Sequence, residues 1–496
     1  MNNDILNLEP KAIWKNFSAL NSVPRPSKKE EKVRQFIINF GKELGLPVET
    51  DEVGNVLIKK AAYPGMEDRK TVVMQSHLDM VCQKNNDVEF DFDTQGIEML
   101  IEDGQFVTAN GTTLGADNGI GVATIMSILE SKDIPHPAIE AFFTIDEETG
   151  MTGALGLKAG FLSGKILLNL DTEEDDELDI GCAGGVDVTA TKQYTAENVN
   201  GTAFTLTLKG LNGGHSGMQI HEGLGNSNKL IARLLNLGLA YGLQIAHMEG
   251  GSLRNAIPRE SWAKIVIPTA NVENFIQAYE TLRAEIIEEY ETKEPKMIVT
   301  LEPTEVSTAM SAQDSKVFVQ AIMTAFNGVY RMSPDVEGLV ETSNNVARVE
   351  AIEGKVRVLC LTRSSVESNK EALAQTLKAG FELGGFEVKF SGSYPGWKAN
   401  THSEILEVLK EIYIKQNGEE PKVVACHAGL ECGIIGTNYP GLDMISFGPN
   451  ISGAHSPDEK VEIVSVQKFW KYLLEILKEI PNDGAVDYSC SNPKNI

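Results

Sequence analysis

Over the first 185 residues the chain alternates between two rhythms of apolar and polar positions. Residues 10–21 and 28–45 place apolar side chains at helical spacing and predict two amphipathic helices, whereas 55–60 predict a short strand. Residues 71–74 form an unbroken apolar run, the pattern of a strand covered on both faces, and lead into Gln75-Ser76-His77-Leu78-Asp79. A glycine-rich stretch at 111–121 opens into a predicted helix at 122–131. Residues 141–145 and 165–170 are further apolar strands, each running straight into acidic residues. Strands alternating with helices predict an α/β domain with a mixed, largely parallel sheet. Such sheets bind ligands beyond the carboxyl ends of their strands, so polar clusters at strand ends are the places to look for chemistry.

From about Gly185 the pattern changes. Residues 203–209 alternate in strand fashion, then come a glycine-histidine loop and a long predicted helix at 226–242. A strand at 261–267, a helix at 271–291 and a strand at 297–302 follow. After a helix at 313–327, the order strand, helix, strand returns at 355–362, 366–383 and 386–391. Asn255 and Asn345 stand a similar distance ahead of the two blocks, which predicts an internal duplication. The domains expected are thus a first α/β segment at 1–185, an inserted α+β domain at 186–392, and a second segment of the α/β domain at 393–480. That last segment holds predicted helices at 402–416 and 463–479 and strands at 422–426 and 444–447; a loose tail is expected at 481–496.

A chain of 496 residues exceeds the size at which one core stops growing, in agreement with two domains. The formal charge of −26 argues against a nucleic-acid or anionic-membrane partner, because phosphate binding depends on clustered Lys and Arg. No apolar run is long enough to span a bilayer, and the first residues lack a basic start followed by an apolar stretch. The six cysteines, at 82, 182, 360, 426, 432 and 490, form no CxxC pair. Free thiols and a cytoplasmic setting are expected.

Candidate chemistry concentrates at the strand ends. His77 follows a buried strand, and Asp79 two residues on would share its face in extended chain; a carboxylate there orients an imidazole toward a metal. Asp117 lies among glycines just before a helix, where it serves either as a helix cap or as a ligand approached by close backbone. Asp146, Glu147 and Glu148 end the apolar run at 141–145. In extended chain Glu147 and Glu148 would point oppositely, one toward a metal and the other toward the proton of a water. Asp171 and Glu173 repeat the pattern after 165–170, and His455 lies in a Gly453-to-Glu459 run near the end. Two histidines and several carboxylates from separate strand ends suit a pair of zinc ions.

The ordered motifs SHLD, LGADNG, DEETG, NLDTE, GGHSG, RNAIP and AHSPDE resemble those of the co-catalytic zinc peptidases that include aminoacylases and glutamate carboxypeptidases. HAGLECG and the long insertion are similar to the dipeptide-cleaving branch of that family. The resemblance implies a zinc-peptidase catalytic domain with an inserted lid, and hydrolysis of Xaa-His and other unblocked dipeptides. It implies that His77 and Asp171 hold one zinc ion, that Glu148 and His455 hold the second, and that Asp117 bridges them. It implies Glu147 as general base, Asp79 as the residue orienting His77, and His215 as an oxyanion donor from the lid. Asn255, Arg363 and Gly429 are implied as substrate contacts, although an Arg at a strand end is otherwise a solvated charge. Mn²⁺ or Co²⁺ are substitutes for zinc on such ligands, and a homodimer is left open.

Three other readings compete with this one. An aminoacylase or deacetylase acting on N-acyl amino acids would use the same centre. A binding protein on a peptidase scaffold would have lost a ligand or the base, and none is lost. A nucleotide-binding loop is excluded because the glycines at 111–121 lack the lysine of a P-loop.

Overall fold

The computed structural model describes residues 4–427 and 429–484. The expected loose tail falls largely outside these residues, as does Cys490. The chain divides into two compact units. One comprises Met1–Gly181, Asn400–Val424 and Ile434–Ile496; the other comprises Cys182–Ala399 and Ala425–Gly433.

The first unit is built on an eight-stranded sheet. Its strand order is Val48–Thr50, Val56–Lys60, Ile139–Thr144, Val72–His77, Ile166–Asn169, Asp443–Ser446, Glu177–Cys182, Lys422–Cys426. The four strands from Ile139–Thr144 to Asp443–Ser446 run parallel, and the pairings recorded outside them are antiparallel. Every residue of Val72–His77, Ile139–Thr144 and Ile166–Asn169 is buried, which explains their unbroken apolar character. The helix Ala116–Glu130 is buried from Asn118 to Leu129 and shares a core with Ile13, Trp14 and Phe17 of the helix Lys11–Asn21. On the C-terminal side, Tyr472 of Ile463–Glu479 donates to the carbonyl of Leu409 in Glu404–Asn417 (2.7 Å).

The second unit carries a nine-stranded sheet whose halves mirror each other. From the centre outward one half reads Gln244–Gly250, Ser261–Ile267, Thr202–Lys209, Ile298–Thr304. The other reads Val340–Ile352, Lys355–Ser364, Gly184–Gln193, Glu387–Tyr394. The two central strands meet antiparallel, with Glu249 opposite Glu350. Helices Ser227–Leu239 and Val272–Tyr290 accompany the first half, Ala312–Thr324 and Glu367–Leu383 the second. The halves are not simply consecutive. Gly184–Gln193, which belongs to the second half, is laid down before the first half begins. This strand and both central strands were missing from the sequence expectation, which saw only the strand–helix–strand portion of each repeat.

Candidate metal centre

The carboxyl ends of the parallel strands converge on one cluster in the first unit. His77 is the last residue of its strand. Its Nε2 lies 3.0 Å from Asp117 Oδ1 and 3.4 Å from Asp171 Oδ1, with Glu147 Oε2 at 4.0 Å. Across Asp117, His455 Nε2 lies 3.2 Å from the other oxygen, Oδ2, and 2.9 Å from Glu148 Oε2. His77, Asp117 and Asp171 therefore form one donor group, and Asp117, Glu148 and His455 a second, overlapping at Asp117.

Local backbone explains how neighbours reach different places. Asp117 sits in the first turn of its helix with non-helical torsions, and its carboxylate meets the two imidazoles instead of capping the turn. Glu147 and Glu148 do not alternate along extended chain as expected. The strand ends at Thr144, and Asp146 at φ 54° turns the chain in the left-handed region, so the two side chains leave from a bend. Asp146 is held there by Thr152 (2.8 Å) and Thr149, and its amide donates to Glu30 (3.1 Å). His455 also adopts a positive φ, 63°, a conformation a non-glycine residue keeps only where its surroundings enforce it.

Asp79 does more than the sequence suggests. His77 Nδ1 lies 3.1 Å from its carbonyl and 3.4 Å from its carboxylate. That carboxylate also accepts the amides of Glu147 (3.0 Å) and Glu148 (3.2 Å) and the hydroxyl of Ser27 (2.8 Å). One buried acid thus ties the His77 loop to the acidic turn.

The electrostatics are those of a site built for cations. Burial pushes Asp171 up to about 6, and burial with Asp117 and Asp171 pushes Glu173 up to about 8. Burial alone would lower His77, yet Asp171, Asp117 and Asp79 hold it well above its usual value. Hydrogen bonds to Asp117 and Glu148 raise His455 to about 11. Glu148 Oε1 is buried without a hydrogen-bond partner, the orphaned acceptor expected of a ligand oxygen. The residues therefore fit a pair of metal ions with mixed N/O donors. The sequence pattern picked out Glu173 with Asp171 but assigned it no role of its own.

The remaining candidates lie in the second unit. His215 pairs with Ala256 across a short antiparallel bridge, and Ser216 donates to the carbonyl of Asn255 (2.7 Å). His215 Nδ1 accepts the amides of Gly217 (3.2 Å) and Met218 (3.1 Å), which leaves the ring proton on Nε2. Burial, then the charge of Arg363, lowers His215 to about 4. Arg363 is not a solvated charge: it is buried, bonds Tyr394 (2.9 Å) and leaves Nε without a partner. The side chain of Asn255 is exposed, whereas Asn345, its counterpart in the sequence pattern, is buried. Asn345 donates to the carbonyls on either side of Asn255, those of Arg254 (3.1 Å) and Ala256 (2.8 Å). Gly429 is half-buried in the Ala425–Gly433 segment.

The chain is 42% identical over 483 residues to the cytosol non-specific dipeptidase of Escherichia coli, covering 96% of this chain and 99% of the relative. It matches the crystal structure of aminoacylhistidine dipeptidase from Vibrio alginolyticus with a TM-score of 0.91 at 44% identity, over 97% and 99% of the two chains. The aminopeptidase PepT of Bacillus cereus shares the fold at 18% identity and a TM-score of 0.55, over 95% and 99% of the chains. The profile of peptidase family M20/M25/M40 matches residues 73–479, and the chain belongs to that family.

Proposed function

We propose that the protein hydrolyses unblocked dipeptides, Xaa-His among them, at a centre that would take two zinc ions. His77 and Asp171 would hold one ion and Glu148 and His455 the other, with Asp117 common to both donor groups. The observation that carries this reading is the pair of donor groups sharing Asp117 at the sheet's carboxyl edge, with Glu147 beside them. The names of the Escherichia coli and Vibrio relatives support a dipeptide substrate, and the former supports a cytosolic setting. When bound, the metals supply Lewis acidity toward the scissile carbonyl and lower the pKa of water. Mn²⁺ and Co²⁺ suit the same donors.

Glu147 takes the proton of the attacking water and later returns it to the departing amine. Asp79 fixes His77 and, through the amides of Glu147 and Glu148, the turn that carries base and ligand. The inserted unit acts as a lid, with His215 donating from Nε2 to the oxyanion. The ring proton on Nε2 supports that role. Arg363, with its unpartnered Nε, binds the substrate carboxylate, and Asn255 and Gly429 are further substrate contacts. The test is a panel of free dipeptides, their N-acetyl counterparts and longer peptides. Turnover confined to free dipeptides is expected. Preference for the acetylated series would mark an aminoacylase and overturn the assignment.

A further inference from the structure

The end of the AHSPDE motif has no part in the chemistry above, yet its glutamate is among the most enclosed charges of the first unit. Glu459 is 2% exposed. Its Oε2 accepts the amides of Leu114 (2.7 Å) and Gly115 (2.8 Å), and its Oε1 the amide of Asp117 (3.1 Å). A single carboxylate therefore gathers the turn that aims Asp117, from a position four residues beyond His455. On the other side of that turn lies Arg25, 1% exposed. Its Nη2 donates to the carbonyl of Gly115 (2.6 Å) and to Asn21 (3.0 Å). Its Nη1 donates to the carbonyls of Leu78 (3.2 Å) and Asp79 (3.3 Å).

Gly115 has no side chain because Arg25 occupies the space. A Cβ there would lie 2.4 Å from Nη2, and the φ of 72° suits glycine. Burying two opposite charges is costly unless most of their hydrogen-bonding groups are satisfied; between them these two bond backbone on two separate segments, Leu114–Asp117 and Leu78–Asp79, and only Arg25 Nε lacks a partner. A purely packed arrangement of apolar side chains would fill the same space without orienting those loops.

We propose that Arg25 and Glu459 are positioning residues of the metal centre: Glu459 holds the Leu114–Asp117 turn by its amides and Arg25 holds it by the Gly115 carbonyl, and together they fix Asp117 between His77 and His455. The inference rests on the dimetal reading, and its test separates the two. Zn²⁺ and Co²⁺ binding to metal-free protein is measured by chelator competition for the wild type, Glu459→Gln and Arg25→Lys. Glu459→Gln removes an acceptor from the clamped amides, and Arg25→Lys keeps the charge but cannot bond Leu78, Asp79 and Gly115 together. Each variant is expected to bind metal about 10–100-fold more weakly, the scale of outer-layer ligand support. Each should also change the visible absorption of the cobalt form, and lower kcat more than it alters KM. A merely structural role would lower the melting temperature and leave affinity and cobalt spectrum as in the wild type; that result overturns the inference. If Glu459→Gln does not fold, Arg25→Lys decides by the same readouts. Failure of the wild type itself to bind a pair of metals would overturn the dimetal reading instead.

Discussion

At the scale of single residues, the site works by giving adjacent carboxylates different surroundings. Glu148 has one oxygen at His455 and the other buried and unpartnered. Glu148→Gln should therefore lose metal first, seen as less than full metal content after gel filtration, and lose activity as a consequence. Asp79 holds Glu147 and Glu148 through their backbone amides, so its effect should be indirect. Asp79→Asn puts an amide N–H against N–H donors it cannot accept, and a fall of about 10–100-fold in metal affinity or kcat/KM is expected. Wild-type values in a metal-binding titration and rate assay of that variant would show that Asp79 only fills space. Both roles were half legible in the sequence. The HxD and DEE spacings pointed to the residues, but extended-chain alternation was the wrong reason for their divergence, because Asp146 turns the chain at φ 54°.

At the scale of elements, the helix Ala116–Glu130, with Asp117 in its first turn, is seated closely on the strand ends. A Cβ on Gly121 would come within 2.5 Å of Ser76 Oγ and 2.7 Å of the Leu170 carbonyl. Gly121→Ala should cost about 1–3 kcal/mol of stability through overpacking, measured by chemical denaturation. In the second unit, His427 bonds Ser343 (2.8 Å), and burial, then Arg363, lowers it to about 3. A histidine whose native pKa lies below its unfolded value of about 6.5 contributes stability that is fully present above that pH. This contribution is lost as pH falls from there toward the native pKa. Denaturation at pH 7.5 and 5.5 should show the wild type losing more stability than His427→Gln; equal losses would remove His427 as a cause. Long apolar strands and helices were readable because burial on both faces leaves continuous apolar runs. Gly184–Gln193 and Val340–Ile352 were not: the first begins with glycines, and the second carries buried Glu341, Thr342, Ser343, Asn344 and Asn345, whose polarity hides a core strand.

At the scale of the whole molecule, metals should act as ligands of the native state alone, because the donors come from loops far apart in sequence. Stabilisation then follows the ratio of free metal to Kd, about 2.7 kcal/mol at a hundredfold excess. Chelation should lower the melting temperature, and restored Zn²⁺ should recover it; an unchanged melting curve would argue against a native metal pair. The mirrored halves of the inserted sheet bear on how His215 is delivered. We expect it to serve its own chain. Mixing His215→Ala with Glu147→Gln under subunit exchange should recover no activity; substantial recovery would mean that the histidine crosses between subunits.

The central claim, a dimetal peptidase in which Glu147 moves the proton, is tested most directly by measuring metal content and dipeptide turnover together in Glu147→Gln. The account predicts wild-type metal content with kcat reduced by several orders of magnitude, since a proton acceptor is removed and no ligand is lost. Near-normal turnover with both metals in place would contradict it.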